Sequence, residues 1–379
     1  QIRLGDLLHH KRRVERSSDE SRFIKFANVL REEMPVRFSH QLMGYYRLPY
    51  IVWSCQPFLI VHDAHLRAFE ELAVFREIET VEDVLQFTEI LRHHLEDTDS
   101  IGSFRSGLSE LQEYGFGGED LVALHPFLDS FIVTRIGNQV LANHFLDWVD
   151  REQFGETSSQ QVITECYKLT PMLTNTANQV CNLAMHIYGV RPEVIFNENL
   201  DIKVSVLPNH LQFIFREVLK NAVHATMQQH VVGRQNFPPP PPVQVTIRSG
   251  TFDVELRVSD QGGGMNRKML SSVWQYGFSG SPWPPMAADL ELSSVEEASR
   301  RLRLQMSGYG MGIPLSRHYA RFFGGDLQFS SIYGFGTDVS IRLNRLLSIQ
   351  ERDEAEFGSV ATPTESEPSI FDLVVAQRT

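Results

Sequence analysis

From Ser21 to Tyr188 the apolar residues recur at three- and four-residue steps. The pattern is plain in FIKFANVLREEM, PFLIVHDAHLRAFEELAVF, VEDVLQFTEILRHHLED and HPFLDSFIVTRIGNQVLANHFLDWV, and it predicts amphipathic helices. Long helices with short connections fold as an antiparallel bundle. This places a helical domain over 21–185, after an N-terminal segment, 1–20. Beyond Val190 the period shortens: PEVIFNE, IKVSVL, VQVTIRSG, DVELRVSD, GDLQFSSI and TDVSIRLN read as strands, several of them alternating between a buried and a wet face. Helical stretches interleave them, HLQFIFREVLKNAVHATMQQHV and the run around ARFF. The expectation is an α+β fold. A helical bundle is followed, over 190–346, by an α/β sandwich with helices on one face of a sheet.

Three segments interrupt these periods. Pro238–Pro242 are five consecutive prolines between a helix and a strand. They suit a stiff connector better than a docking ligand for a polyproline reader. Gly280–Gln305 mix Pro, Trp and charges with no period, as a mobile lid would. Residues 347–379 are acidic and rich in Ser and Thr, the composition of a disordered tail, although its end, SIFDLVVAQ, is apolar again.

Composition narrows the function classes. The chain has 379 residues, 42% of them hydrophobic and 22% charged, which allows two domains with cores of their own. A formal net charge of -12 argues against a general nucleic-acid surface. No apolar run is long enough for a membrane span. Cys55, Cys166 and Cys181 are far apart and form neither a metal pattern nor a disulfide framework, which fits a reducing compartment. The first residue is Gln1, not Met, which fits an N-terminal segment removed or omitted; a targeting peptide would lie outside the sequence shown.

The candidate chemistry sits in the second half, in four boxes. In FREVLKNAVHAT, Glu217, Lys220 and Asn221 are three and four residues apart and share one helix face. Asn221 offers a neutral oxygen suited to a magnesium ion that also holds phosphate oxygens. Glu217 can accept a proton or orient a nucleophile, and Lys220 can pair with it or with phosphate. In RVSDQGGGM, Asp260 ends an apolar strand, placed to accept from an adenine amino group, and the glycines after it let a ligand approach the backbone. In SGYGMGIPLSRHYARFFGGDLQ a Gly-rich turn feeds a helix N-terminus, a phosphate cradle. In GFGTDVSI, Thr337 opens the next strand. Each box is weak alone, but their order makes them strong together. No Walker loop, HRD or DFG is present.

These boxes resemble the GHKL ATP-binding fold shared by gyrase, MutL, the large heat-shock chaperones and bacterial histidine kinases. They are nearer still to the mitochondrial 2-oxoacid dehydrogenase kinases. The boxes of that family read ELxKNAxRAT, SDxGGG, GxGxGLPxSRxYA and GxGTD. Here they are EVLKNAVHAT, SDQGGG, GYGMGIPLSRHYA and GFGTD. EEMPVRFSHQL and FLDSFIVTRIGNQVLANH resemble the family's bundle segments, so the likeness runs from Ser21 to Leu346. The resemblance implies a protein-serine kinase that uses ATP and Mg2+ to phosphorylate, and so inactivate, the decarboxylase subunit of a 2-oxoacid dehydrogenase complex. It also implies docking of the bundle on the lipoyl domain of the acyltransferase core, a homodimer formed through the ATP-domain sheets, and a mitochondrial matrix location.

By position, the resemblance makes Glu217 the general base, with Lys220 beside it, and Asn221 the magnesium ligand. Asp260 would hold adenine in a pocket shaped by Gly262 and Gly264, with Thr337 nearby. Ser307, Gly308, Tyr309, Gly310, Met311, Gly312 and Ile313 would wrap the phosphates, and Ser279 would give a hydroxyl contact. A potassium ion would lie near Val273, Gln275 and Phe278. Some positions depart from the pattern. Phe213 stands where pyruvate dehydrogenase kinases carry a His, one turn before the base, and His224 stands where the family usually has Arg. The tail has no DW pair for cross-subunit docking. GYYRLPYIVWSCQP and HDAHLRAF look nearer the branched-chain member. The rival readings are a histidine kinase, with His65 or His144 as acceptor, and an ATPase without a protein substrate. Histidine kinases place the acceptor in a context like HExRxPL, which neither histidine has.

Overall fold

The computed structural model describes residues 20–96, 99–117, 119–154, 164–197, 203–233, 238–250, 253–278, 310–322 and 324–344. Residues 1–19, the whole of the expected lid, 280–305, and the 347–379 tail lie outside them. The chain divides into two compact units between Ile163 and Thr164.

The first unit is helical: α1 (Glu20–Tyr45), α2 (Tyr50–Trp53), α3 (Gln56–Ala73), α4 (Val81–Glu96), α5 (Ser100–Glu113) and α6 (Glu119–Phe154). The three- and four-residue spacing puts one apolar stripe on each long helix, and burying those stripes joins them. α1 packs on α3, α4 and α6, and α3 packs on α5. Phe58, Phe104 and Phe131 are fully buried at the centre. The rings of Phe104 and Phe131 meet edge to face, with centroids 4.8 Å apart, the geometry their quadrupoles favour. Pro35 and Pro126 both lie inside helices, α1 and α6. Each removes a backbone bond to the preceding turn, and packing on neighbouring helices carries the helix through. Among the described residues no helix is long and apolar enough to cross a membrane.

The second unit combines a sheet with a helical layer. β2 (Val194–Asn197), β4 (Val243–Ser249), β5 (Asp253–Asp260), β7 (Gly336–Asn344) and β6 (Asp326–Ile332) form one sheet in that order. β2 and β4 are parallel and the remaining pairs antiparallel. β1 (Thr164–Lys168) and β3 (Lys203–Val206) make a separate antiparallel ribbon. β1, the segment TECYK, is too short to show a period and was not expected. Along β5, Val254, Leu256, Val258 and Asp260 are buried and their neighbours are not. The same alternation turns Val243, Val245 and Ile247 of β4, and Val339, Ile341 and Leu343 of β7, to the covered face. α8 (Pro208–His230) lies against β4 and β5, and α10 (Gly312–Phe322) against β6, β7 and α8.

α7 (Leu169–Tyr188) differs from expectation. Its helical period extended the bundle to residue 185, yet it belongs to the second unit, packed along α8. Periodicity reveals that Leu173, Ala177, Val180 and Ala184 form a face to be buried, but not which neighbour buries it. Pro238–Pro242 lead straight into β4, where the Val243 N–H donates to the Glu193 carbonyl at 2.9 Å.

Candidate active site

α8 presents Glu217, Asn221, His224 and Gln228 to one cavity, at successive helical turns. Its opposite side buries Phe215, Leu219 and Val223 in the core, so hydrophobic packing sets the rotation that aims the polar stripe. Glu217 is only 7% exposed. A buried carboxylate needs a partner, and the Lys220 Nζ supplies one at 3.0 Å. The Arg216 Nε, on the outer side, stands 3.6 Å away. One turn earlier, Phe213 brings no titratable group. Its ring lies under the Arg216 guanidinium and edge-on to Tyr319.

The inward alternation of β5 delivers Asp260 to the same cavity, where it is 8% exposed. Its carboxylate accepts from the Gly262 N–H at 2.8 Å. Burial lifts its pKa from 3.8 to about 6. The Gly262 and Thr337 backbone N–H groups pull the other way, and Asp338 adds to the rise. Asp260 pairs with Thr337 across β5 and β7. The Thr337 hydroxyl bonds to the Ser331 hydroxyl at 2.9 Å, and that hydroxyl accepts from the Met265 N–H at 2.7 Å. The loop after Asp260 is thereby tied to the β6–β7 hairpin. Gly264 makes the tie possible. Its φ is +63°, and a Cβ there would sit 2.1 Å from the Ile332 carbonyl oxygen.

The N-terminus of α10 closes a third side. Gly312 packs against Glu217 so tightly that a Cβ would fall 2.4 Å from Oε2. The Gly310 carbonyl accepts from the Gly277 N–H at 3.1 Å, joining this turn to the segment after α9 (Arg267–Ser272).

The resulting cavity has a volume of about 410 Å³, within the range of small-ligand sites. Glu217, Asn221, Asp260, Gly262, Gly264, Gly310, Gly312, Ile313 and Thr337 line it. Val273 and Phe278 line it too, while Gln275 does not. Lys220 reaches the site through Glu217. Met311 turns its side chain into the core, 4% exposed. Ser279, Ser307, Gly308 and Tyr309 lie outside the described residues. Sequence reasoning missed the apolar wall of Met265, Met269, Phe329 and Val339. Phe329 and Val339 are register partners on β6 and β7, and the alternation that placed Asp260 inward could have found them.

The arrangement suits a nucleoside triphosphate. Asp260 lies at one end beside apolar side chains that can cover a purine face. Asn221 and the start of α10 lie at the other, where backbone N–H groups favour anions. Asn221 is exposed to solvent and carries a neutral oxygen, fitting an ion that keeps most of its water and takes few protein ligands. Among the described residues no group of three or more His, Cys, Asp or Glu could hold a metal by itself.

The histidines considered as phosphate acceptors do not suit that role. His65 and His144 are each 8% exposed. The His65 Nδ1 bonds the Val61 carbonyl at 2.8 Å, and burial lowers its pKa to about 4. Cys55 is buried as well, and burial first, then Glu110, pushes its thiol up to about 12, which removes it as a nucleophile.

Comparison with known proteins is consistent across both units. A family model for mitochondrial branched-chain alpha-ketoacid dehydrogenase kinase matches residues 1–165. One for histidine kinase-, DNA gyrase B- and HSP90-like ATPases matches residues 207–346. A mitochondrial pyruvate dehydrogenase (acetyl-transferring) kinase of Arabidopsis thaliana is 29% identical over 331 residues, 86% of this chain and 86% of that protein. The Schizosaccharomyces pombe counterpart is 33% identical over 233 residues, covering 60% of this chain and 52% of its own. Human isozyme 1 is 28% identical over 334 residues, 84% and 72% of the two chains.

Proposed function

This chain belongs to the mitochondrial 2-oxoacid dehydrogenase kinase family, within the GHKL superfamily, and from that premise we propose that it transfers the γ-phosphoryl group of ATP to a serine of the decarboxylase subunit of a 2-oxoacid dehydrogenase complex. The observation that carries the reading is the convergence of Glu217, Asn221 and Asp260 on one cavity. A carboxylate for the proton, an oxygen for a metal and an acceptor for a purine amino group then serve a single ligand.

In this reading Asp260 accepts from the adenine amino group while Met265, Met269 and Phe329 cover the ring. Backbone N–H groups at the start of α10 receive phosphate oxygens. Asn221 holds a magnesium ion, which when bound offsets charge on the phosphates. Glu217 accepts the serine proton as its oxygen attacks phosphorus in line. Lys220, 3.0 Å from Glu217, orients it before the substrate arrives. Phosphoryl transfer asks little more of a protein than position and charge balance, and close packing over the site would limit idle hydrolysis.

The bundle is proposed to dock on the lipoyl domain of the acyltransferase core, with the protein acting as a homodimer in the mitochondrial matrix. Backbone groups near Val273, Gln275 and Phe278 are proposed to hold a potassium ion. The branched-chain model matching the first unit and the pyruvate dehydrogenase kinases matching the whole leave two substrate complexes to compare. The test is incubation with Mg2+ and γ-labelled ATP beside purified pyruvate and branched-chain decarboxylase components, each with its lipoyl core. Label on a serine of one component supports the reading and names the complex. ATP hydrolysis without label on either would point to an ATPase, and acid-labile label on the protein itself to a histidine kinase.

A further inference from the structure

Phe329 lines the cavity from β6. Its ring meets that of Trp274, two residues beyond α9, with centroids 5.2 Å apart and planes perpendicular. This is the edge-to-face geometry that ring quadrupoles favour. Trp274 is half-buried and does not itself line the cavity. It is held in turn from α10, where the Arg317 Cζ stands 4.0 Å from the centre of the Trp274 ring, a cation–π contact. The Arg317 Nε pairs with the Asp326 Oδ1 at 3.1 Å. Asp326 opens β6, three residues before Phe329, and pairs with Arg321 as well. The contacts therefore close a circuit. Phe329 meets Trp274, Trp274 meets Arg317, Arg317 meets Asp326, and β6 leads from Asp326 back to Phe329.

Resting on the nucleotide reading above, we infer that Trp274 is a positioning residue for the purine: clamped by Arg317, it holds the Phe329 ring at the angle at which that ring covers the base. A phenylalanine at an open wall turns about two side-chain torsions. The closed circuit fixes those torsions before the ligand arrives, so less side-chain freedom is lost on binding. The helix that supplies the clamp begins at Gly312, in the turn proposed to receive the phosphates, so α10 serves both ends of the nucleotide. The sequence shows nothing of this, because Trp274, Arg317 and Phe329 belong to separate segments and meet only when α10 lies on β6.

The test uses the full chain, with adenosine and ATP as probes in calorimetric titrations and in tryptophan emission. Trp274→Ala should bind adenosine about tenfold more weakly, the upper range of one edge-to-face ring pair, and ATP more weakly by the same factor. Trp274→Phe keeps an aromatic ring against Phe329 and should stay within about twofold of wild type. Arg317→Gln removes the cation from the indole, while Arg321 still pairs with Asp326, and should cost about threefold for adenosine. Adenosine should shift the tryptophan emission of the wild type, and that shift should vanish in Trp274→Phe. Full adenosine affinity in Trp274→Ala, or a loss confined to ATP, would overturn the inference. So would a loss in Trp274→Phe as large as in Trp274→Ala, or an emission shift that survives in Trp274→Phe. A wild-type chain that bound neither adenosine nor ATP would instead fail the nucleotide reading itself and take the inference with it. The Trp274→Phe and Arg317→Gln measurements decide the matter even where Trp274→Ala does not fold.

Discussion

Replacing Asp260 by Asn should strengthen the ligand-free protein while weakening its grip on ATP. Folding carries this carboxylate from water to a position 8% exposed, and its pKa rises from 3.8 to about 6. Below pH 3.8 it is protonated in the folded and unfolded chains alike, and the burial carries no electrostatic penalty. Above about 6 it is ionised in both, and the folded state alone bears a poorly solvated charge. At about 1.36 kcal/mol per pH unit, the difference is about 3 kcal/mol. Stability from this group is thus present below pH 3.8 and lost as pH rises through about 6. Asn is neutral at every pH and keeps an oxygen to accept from Gly262 N–H.

The neutral variant should therefore gain about 1–3 kcal/mol at pH 8, where scanning calorimetry without nucleotide should show Tm raised by about 3–10 °C. At pH 4 the two proteins should melt together. ATP binding should move the other way. A hydrogen bond to a charged acceptor is worth about 1.5–3 kcal/mol, so Asp260→Asn should bind ATP about 10–100-fold more weakly. Wild-type affinity should climb with pH through about 6 as the carboxylate ionises. A variant no more stable than wild type at pH 8, or one whose advantage persisted at pH 4, would refute the argument that desolvation governs this group. Unchanged ATP affinity would show that the purine pocket lies elsewhere.

Three further outcomes are expected. Glu217→Gln should keep ATP affinity within about twofold and lose about 10²–10⁴-fold in phosphotransfer, the contribution of a general base; single-turnover transfer to the decarboxylase component separates the two. Asn221→Ala should raise the Mg2+ concentration needed for half-maximal turnover severalfold and leave adenosine binding unchanged, as a magnesium titration would reveal. Gly264→Ala should destabilise the protein by more than about 2 kcal/mol in denaturant melts, because φ is +63° and the added Cβ would overlap the Ile332 carbonyl.

Much of the α+β fold was legible because its signals are local. A period of three to four marks α1, α3, α4 and α6, and a period of two marks β4, β5 and β7, whatever they later pack against. Asp260 could be read as inward because Val254, Leu256 and Val258 precede it at the same spacing. Glu217, Lys220 and Asn221 share a helix face by arithmetic alone, and the order of the boxes carried the family resemblance. What escaped had no local mark. β1 is too short to show a period, and α7 looks like a bundle helix until its apolar face is seen against α8. Met265, Met269, Phe329 and Val339 are ordinary apolar residues that become a wall only when β6 pairs with β7 and the segment after Asp260 is tied to that hairpin.

The sequence by itself therefore determined which face of its element each candidate site residue occupies, since that follows from the pitch of a helix and the pleat of a strand. Only the tertiary structure decided their electrostatic state. Burial raises the pKa of Asp260, Lys220 pairs with Glu217, and Gly312 packs against that same carboxylate. Each of these depends on how much water is removed and which distant group takes its place, and both are settled only when the layers come together.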